Sequence, residues 1–181
     1  MTAAPTDQDY LEKKSRIYGV VVFIERVLSM WLLTALLVLI GIQVFTRYVL
    51  NSPFVWTEEL ARFVLIWFAF MSAAFVMARR RHITVLLYSA RSSGRVIAAI
   101  DAFAYFVVLV VSAVLTYGGW DLVRATGRLH APATDLPLSL VYAALLVGSV
   151  LMTVHAAFNI YLAARYPGRY QEQDDIEKIG L

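Results

Sequence analysis

The sequence predicts an all-α integral membrane protein with four transmembrane helices and short interfacial amphipathic helices. Three observations carry this expectation. Sixty per cent of the 181 residues are hydrophobic, more apolar surface than one soluble domain of this size buries. The apolar residues gather in four runs of about 20, each long enough to cross a hydrocarbon core about 30 Å thick at a rise of about 1.5 Å per residue. The basic residues are partitioned along the chain: twelve of the sixteen Lys and Arg fall in the N-terminal segment, the loop after the second run and the C-terminal segment. By the positive-inside rule both termini are then expected in the cytoplasm. The chain has no cysteine, which excludes a disulfide framework, a thiolate metal site and a cysteine nucleophile.

Residues 1–26 read as a cytoplasmic N-terminal segment and interfacial helix. Its first part is polar and mixed in charge (Asp7, Asp9, Glu12, Lys13, Lys14, Arg16), without the apolar core and cleavage site of a secretory signal. Ile17, Val20, Val21 and Ile24 share one helical face, but Glu25 and Arg26 interrupt the apolar pattern. The stretch 17–24 is therefore expected to lie along the inner interface and lead into the first span. Residues 27–164 read as the four-helix transmembrane domain, with spans at about 27–50, 57–79, 96–119 and 138–164, and residues 165–181 as a cytoplasmic tail.

Within that domain, residues 27–46 carry no charge, with Trp31 near the inner end and Arg47 and Tyr48 closing the outer end. Asn51, Ser52 and Pro53 make the turn. Proline suits the first position of the next helix, Ser52 or Thr57 can cap it, and Glu58 and Glu59 complement the dipole of its first turn. Ala69 with Ala73, and Ala74 with Ala78, have the four-residue spacing that lets a neighbouring helix approach closely. Arg79, Arg80 and Arg81 end the second span as a topology signal and a contact for anionic lipid headgroups. Residues 82–95 are amphipathic, with Ile83, Leu86, Leu87 and Ala90 on one face, and too short to span. The third span has Asp101 near its inner end and Trp120 and Asp121 at its outer end. A short polar loop follows, with Arg124, Arg128, His130, Pro132 and Asp135, and the fourth span carries Ala144 and Gly148 four apart.

The stretch from Arg47 to Val85 holds the one tight cluster of both charge signs beside an apolar span: Arg47, Glu58, Glu59 and Arg62 at one end and three arginines at the other. Its residues Arg47, Tyr48, Asn51, Pro53, Trp56, Glu58, Glu59 and Arg62, followed by His82, Ile83 and Val85, resemble a family signature. In the small membrane subunit, or DctQ-type component, of tripartite ATP-independent periplasmic (TRAP) transporters, a pattern RYxxN-x-P-x-x-W-x-EE-x-x-R leads into the second helix and a basic run ends in H-I-x-V. One departure is Leu86 and Leu87, which stand where the family carries an acidic residue.

The resemblance implies a non-catalytic subunit that pairs with a large membrane subunit (the M component) carrying the substrate and sodium sites. A periplasmic substrate-binding protein (the P component) serves such a system, and the cargo is organic acids. It also implies that this chain holds no cofactor of its own. Arg47, Trp56, Glu58, Glu59, Arg62 and His82 become candidates for contact with a partner subunit. Chemistry alone leaves two readings open for the charges. Glu58 and Arg62, four apart in the favourable order, with Arg47 within reach across the turn, form either a local network that fixes the hairpin or a docking face. An exposed pair contributes only about 0–1 kcal/mol, so stability is a weak reason for four charges there; the resemblance favours docking.

Other chemistries are thinly represented. No Gly-rich phosphate loop, zinc spacing or catalytic triad appears, so the chain is not read as an enzyme, and nothing points to nucleic acid. Asp101, Gln43, His155 and Asn159 are the other polar side chains inside or near the spans. His155 and Asn159, four apart on one face of the fourth span, also read as a fragment of a pathway, but lone polar residues of this kind are expected more often to form interhelical hydrogen bonds of about 0.6–2 kcal/mol. A self-sufficient transporter would need broken helices or repeats around a midplane site, and the sequence offers neither. The alternative from another class is the membrane anchor of a redox enzyme, cytochrome b-like. Haem would need facing histidines within the spans, and His155 alone is so placed.

Overall fold

The computed structural model describes residues 16–78 and 94–165, among which there are four α-helices: α1 (Arg16–Tyr48), α2 (Val55–Ala78), α3 (Gly94–Ala125) and α4 (Leu138–Arg165). Each is long and apolar enough to cross a membrane. At about 1.5 Å per residue, α1 is about 50 Å long, well beyond the hydrocarbon thickness of about 30 Å. The expected break between an interfacial helix and a first span is absent: α1 runs without interruption through Glu25 and Arg26. The reason is that Glu25 is buried and paired inside the bundle, so its charge marks no membrane boundary. The second expected interfacial helix falls largely outside the described residues, and its last two positions, 94 and 95, already belong to α3. Residues 79–81, 82 and the 166–181 tail also lie outside the described residues.

The connections obey simple stereochemistry. The turn after α1 closes with the Val49 N–H donating to Phe45 O at 2.9 Å and the Ser52 N–H to Thr46 O at 3.2 Å. Asn51 takes a left-handed backbone conformation (φ 48°), which asparagine tolerates better than most residues. Helix α2 begins at Val55, two residues after Pro53, so the proline stands outside the helix rather than at its first position. Nor does Thr57 cap by accepting; its hydroxyl donates to Phe54 O at 2.7 Å. Between α3 and α4, the Leu138 N–H donates to Leu129 O and the Ala131 N–H to Leu136 O, both at 2.9 Å. Asp135 supplies a second left-handed residue (φ 55°). The loop is thus a tied hairpin.

Packing places the helices in the spatial order α1–α2–α4–α3, with α1 against α2, α2 against α4 and α4 against α3. Small residues set the close approaches. At Gly148 on α4, a Cβ would lie 2.6 Å from Phe70 Cβ and 3.1 Å from Phe70 O on α2, so only glycine permits this crossing. Ala144, Ala74 and Ala78 are all fully buried, whereas Ala69 is exposed. Of the two alanine pairs on α2, it is 74/78 that faces protein: Ala78 packs against Tyr18 and Val22 of α1. Met77, Tyr105 and Ala156 form a second cluster, joining α2, α3 and α4. The α3–α4 seam is polar at its centre, with the Thr153 and Ser112 hydroxyls 2.9 Å apart and those of Thr116 and Ser149 3.1 Å apart. The outer members of the row, α1 and α3, turn Phe23, Trp31, Leu37 and Phe45, and Phe103, Phe106, Val114 and Trp120, away from the protein.

Candidate functional site

The charged end of the bundle is built where α1 stops and α2 starts. Glu58, in the first turn of α2, sits 3.4 Å from Arg62 one turn on and 4.0 Å from Arg47 across the connection. Gln43, one turn before Arg47, donates to the same carboxylate at 3.5 Å. All three charged side chains are open to their surroundings, with relative exposures of 53% for Arg47 and Glu58 and 67% for Arg62. The sequence spacing points to this trio; Gln43, a polar residue inside the first span, joins it through the interhelical hydrogen bond expected of such a side chain. Trp56 is exposed beside the trio and stacks on Phe54, with ring centroids 6.0 Å apart and planes 16° from parallel.

Glu59 points elsewhere. Its Oε2 accepts from the Ala133 N–H at 3.0 Å, the Thr134 N–H at 2.7 Å and the Thr134 hydroxyl at 2.9 Å. Three donors on one carboxylate oxygen make Glu59 a clamp on the α3–α4 hairpin, because charge-assisted hydrogen bonds are the strong ones. Of the four charges read together from the sequence, the structure therefore groups three and assigns the fourth to a loop 74 residues away. Trp67 adds a second tie at this end, its indole N–H donating to Leu140 O at 3.2 Å. On α3, Arg124 is taken up by its neighbour Trp120, with the guanidinium 5.3 Å from the ring centroid. His82 and Arg79, Arg80 and Arg81 lie outside the described residues.

A second polar group lies deep in the bundle. His155 Nε2 and Glu25 Oε1 are 2.9 Å apart, with side-chain exposures of 1% and 3%. The Tyr18 ring meets the imidazole edge-on at 5.6 Å. One turn further along α4, Asn159 donates to Met77 O of α2 at 3.2 Å. His155 and Asn159 thus both bond between helices, as their spacing suggested, but the acidic partner of His155 was not foreseen. The available signal was that an ionisable side chain within a span seeks another.

These features define a multi-pass α-helical membrane protein whose polar side chains tie helices and one loop together and whose exposed ionic trio sits at one end of α1 and α2. The chain belongs to the small-subunit family of TRAP transporters: the family model "Tripartite ATP-independent periplasmic transporters, DctQ component" matches residues 36–165. It is 26% identical, over 129 residues, to a protein of Haemophilus influenzae that carries the name of a TRAP transporter small permease protein; the match covers 70% of this chain and 79% of that one. It is 33% identical over 66 residues to the sialic acid TRAP transporter small permease protein SiaQ of Vibrio cholerae, covering 36% of this chain and 38% of that one. This membership selects the transporter-subunit reading over that of a redox anchor.

Proposed function

We propose that this chain is the non-catalytic scaffold of a TRAP transporter. It pairs with a large membrane subunit that carries the substrate and sodium sites, and a periplasmic binding protein delivers organic acids to that complex. The subunit enlarges the stationary part of the large subunit in the bacterial inner membrane, so that the moving transport domain has a fixed body to slide against. Both termini lie in the cytoplasm, as the distribution of Lys and Arg supports. The exposed trio then faces the periplasm, where it helps to dock partners. Sodium binds the partner rather than this chain. The name of the Vibrio cholerae relative links that protein to sialic acid, a carboxylated sugar, which supports organic acids as the substrate class here.

The observation that carries this reading is the Arg47–Glu58–Arg62 trio, exposed at the end of an otherwise apolar wall. Exposed pairs of this kind add little stability, about 0–1 kcal/mol, whereas the same charges set against a partner's complementary charges give specificity. The described helices are also unbroken, and a substrate site of the usual secondary-transporter kind is built at broken helices. Reversing the central charge, Glu58→Lys, is expected to abolish co-purification with the large subunit while the chain still inserts in the membrane. Normal co-purification of that variant would contradict the docking role. Uptake by the large subunit at an unchanged rate without this chain would contradict the scaffold role.

A further inference from the structure

The buried pair Glu25–His155 has a place in the fold that the docking trio does not explain. Among the described residues the backbones of α1 and α4 do not meet; α2 stands between them. Two long polar side chains nevertheless span the gap and touch at 2.9 Å. Glu25 lies about 35 Å of helix below Tyr48, His155 about 26 Å below Leu138 and Met77 about 33 Å below Val55, at about 1.5 Å per residue. These positions put the pair toward the end of the bundle opposite Arg47, the inner end on the proposed orientation. Among the described residues, the remaining polar atoms, Glu25 Oε2 and His155 Nδ1, have no hydrogen-bond partner, so the Nε2–Oε1 contact is what each side chain has from the other. Around the pair, Tyr18 and Val22 of α1 pack against Ala78 with Phe75 beside them, and the Tyr18 ring also meets His155 and Phe158 of α4, both at 5.6 Å.

We propose that Glu25 and His155 form a polar latch that fixes the inner half of α1 to α4, and that opening it releases this half while the outer half stays anchored at the α1–α2 turn. Removing one partner leaves the other buried and unsatisfied, a state relieved when the inner half of α1 moves out to let solvent or headgroups reach the orphan. The outer half has its own ties, the turn hydrogen bonds and the Gln43 and Arg47 contacts to Glu58, and these do not pass through the latch.

The chain's lack of cysteine makes the test direct in the full chain in its native membrane. One cysteine pair, Val22→Cys with Ala78→Cys, reports the inner half, and a second, Thr46→Cys with Thr57→Cys, at two buried positions beside the α1–α2 turn and outside the ionic trio, reports the outer half, each joined by a short bifunctional thiol reagent. The latch predicts that Glu25→Leu and His155→Leu each lower the inner cross-link by about tenfold or more and leave the outer one intact. The exchanged pair, Glu25→His with His155→Glu, restores the inner cross-link. Full inner cross-linking in both single variants would overturn the latch, and so would an exchanged pair that fails to restore it while the outer cross-link persists. Loss of both cross-links together in the single variants would also overturn it, because the pair would then hold the whole bundle rather than one half of α1.

Discussion

At the scale of single residues, the two glutamates that open α2 are neighbours in sequence and differ in what they do. Glu58 is open and shared by two arginines and a glutamine; Glu59 is spent on the α3–α4 hairpin. Glu59→Ala is expected to lower stability by about 1–3 kcal/mol, since it strips a charged acceptor from two backbone N–H groups and a hydroxyl, and to raise the hydrogen-exchange rate of the Ala133 and Thr134 amides. Glu59→Gln, which keeps an acceptor oxygen but not the charge, should fall between. The trio was legible because i,i+4 spacing and a short turn confine it to a local stretch. The role of Glu59 was not, because its partners are backbone groups of a loop that only the tertiary fold brings near. Glu25 and His155 were hidden for the same reason: read locally, Glu25 looks like the edge of a span.

At the scale of elements, glycines of α1, α3 and α4 sort by what faces them. Gly148 lies against the Phe70 Cβ and backbone, so Gly148→Ala is expected to cost about 1–3 kcal/mol by overpacking. Because the obstructing atoms are the Cβ and the main chain, the double variant with Phe70→Ala should show no rescue; recovery of the thermal midpoint in that double variant would contradict the close α2–α4 crossing. Gly41 and Gly118 have nothing within 4 Å. In the isolated chain, Gly41→Ala should be neutral or stabilising by up to about 1 kcal/mol. The hydroxyl pairs of the α3–α4 seam make a smaller contribution, and Thr153→Val should lower stability by about 0.6 kcal/mol, the typical value for a polar contact between membrane helices. Four spans and the small-residue spacings at 74/78 and 144/148 were readable from run length and composition. The spatial order α1–α2–α4–α3 was not, because every helix is apolar nearly all round and hydropathy does not say which face meets protein and which meets lipid.

At the scale of the whole molecule, the helices form a row whose outer members expose large apolar side chains, with an ionic trio open at one end of α1 and α2 and a buried polar pair at the other end of α1. A body of this kind is fixed internally by a few polar ties, and on the proposed reading it offers its surface to lipid and to a larger partner. The measurement that tests this account most directly is a mild-detergent affinity purification of the chain from its native membrane, with the co-purifying proteins identified and the visible absorption spectrum recorded. The expected result is a large polytopic membrane protein in fixed ratio and a colourless sample. A Soret band with a peripheral redox partner in place of that protein, or the chain recovered alone, would contradict it.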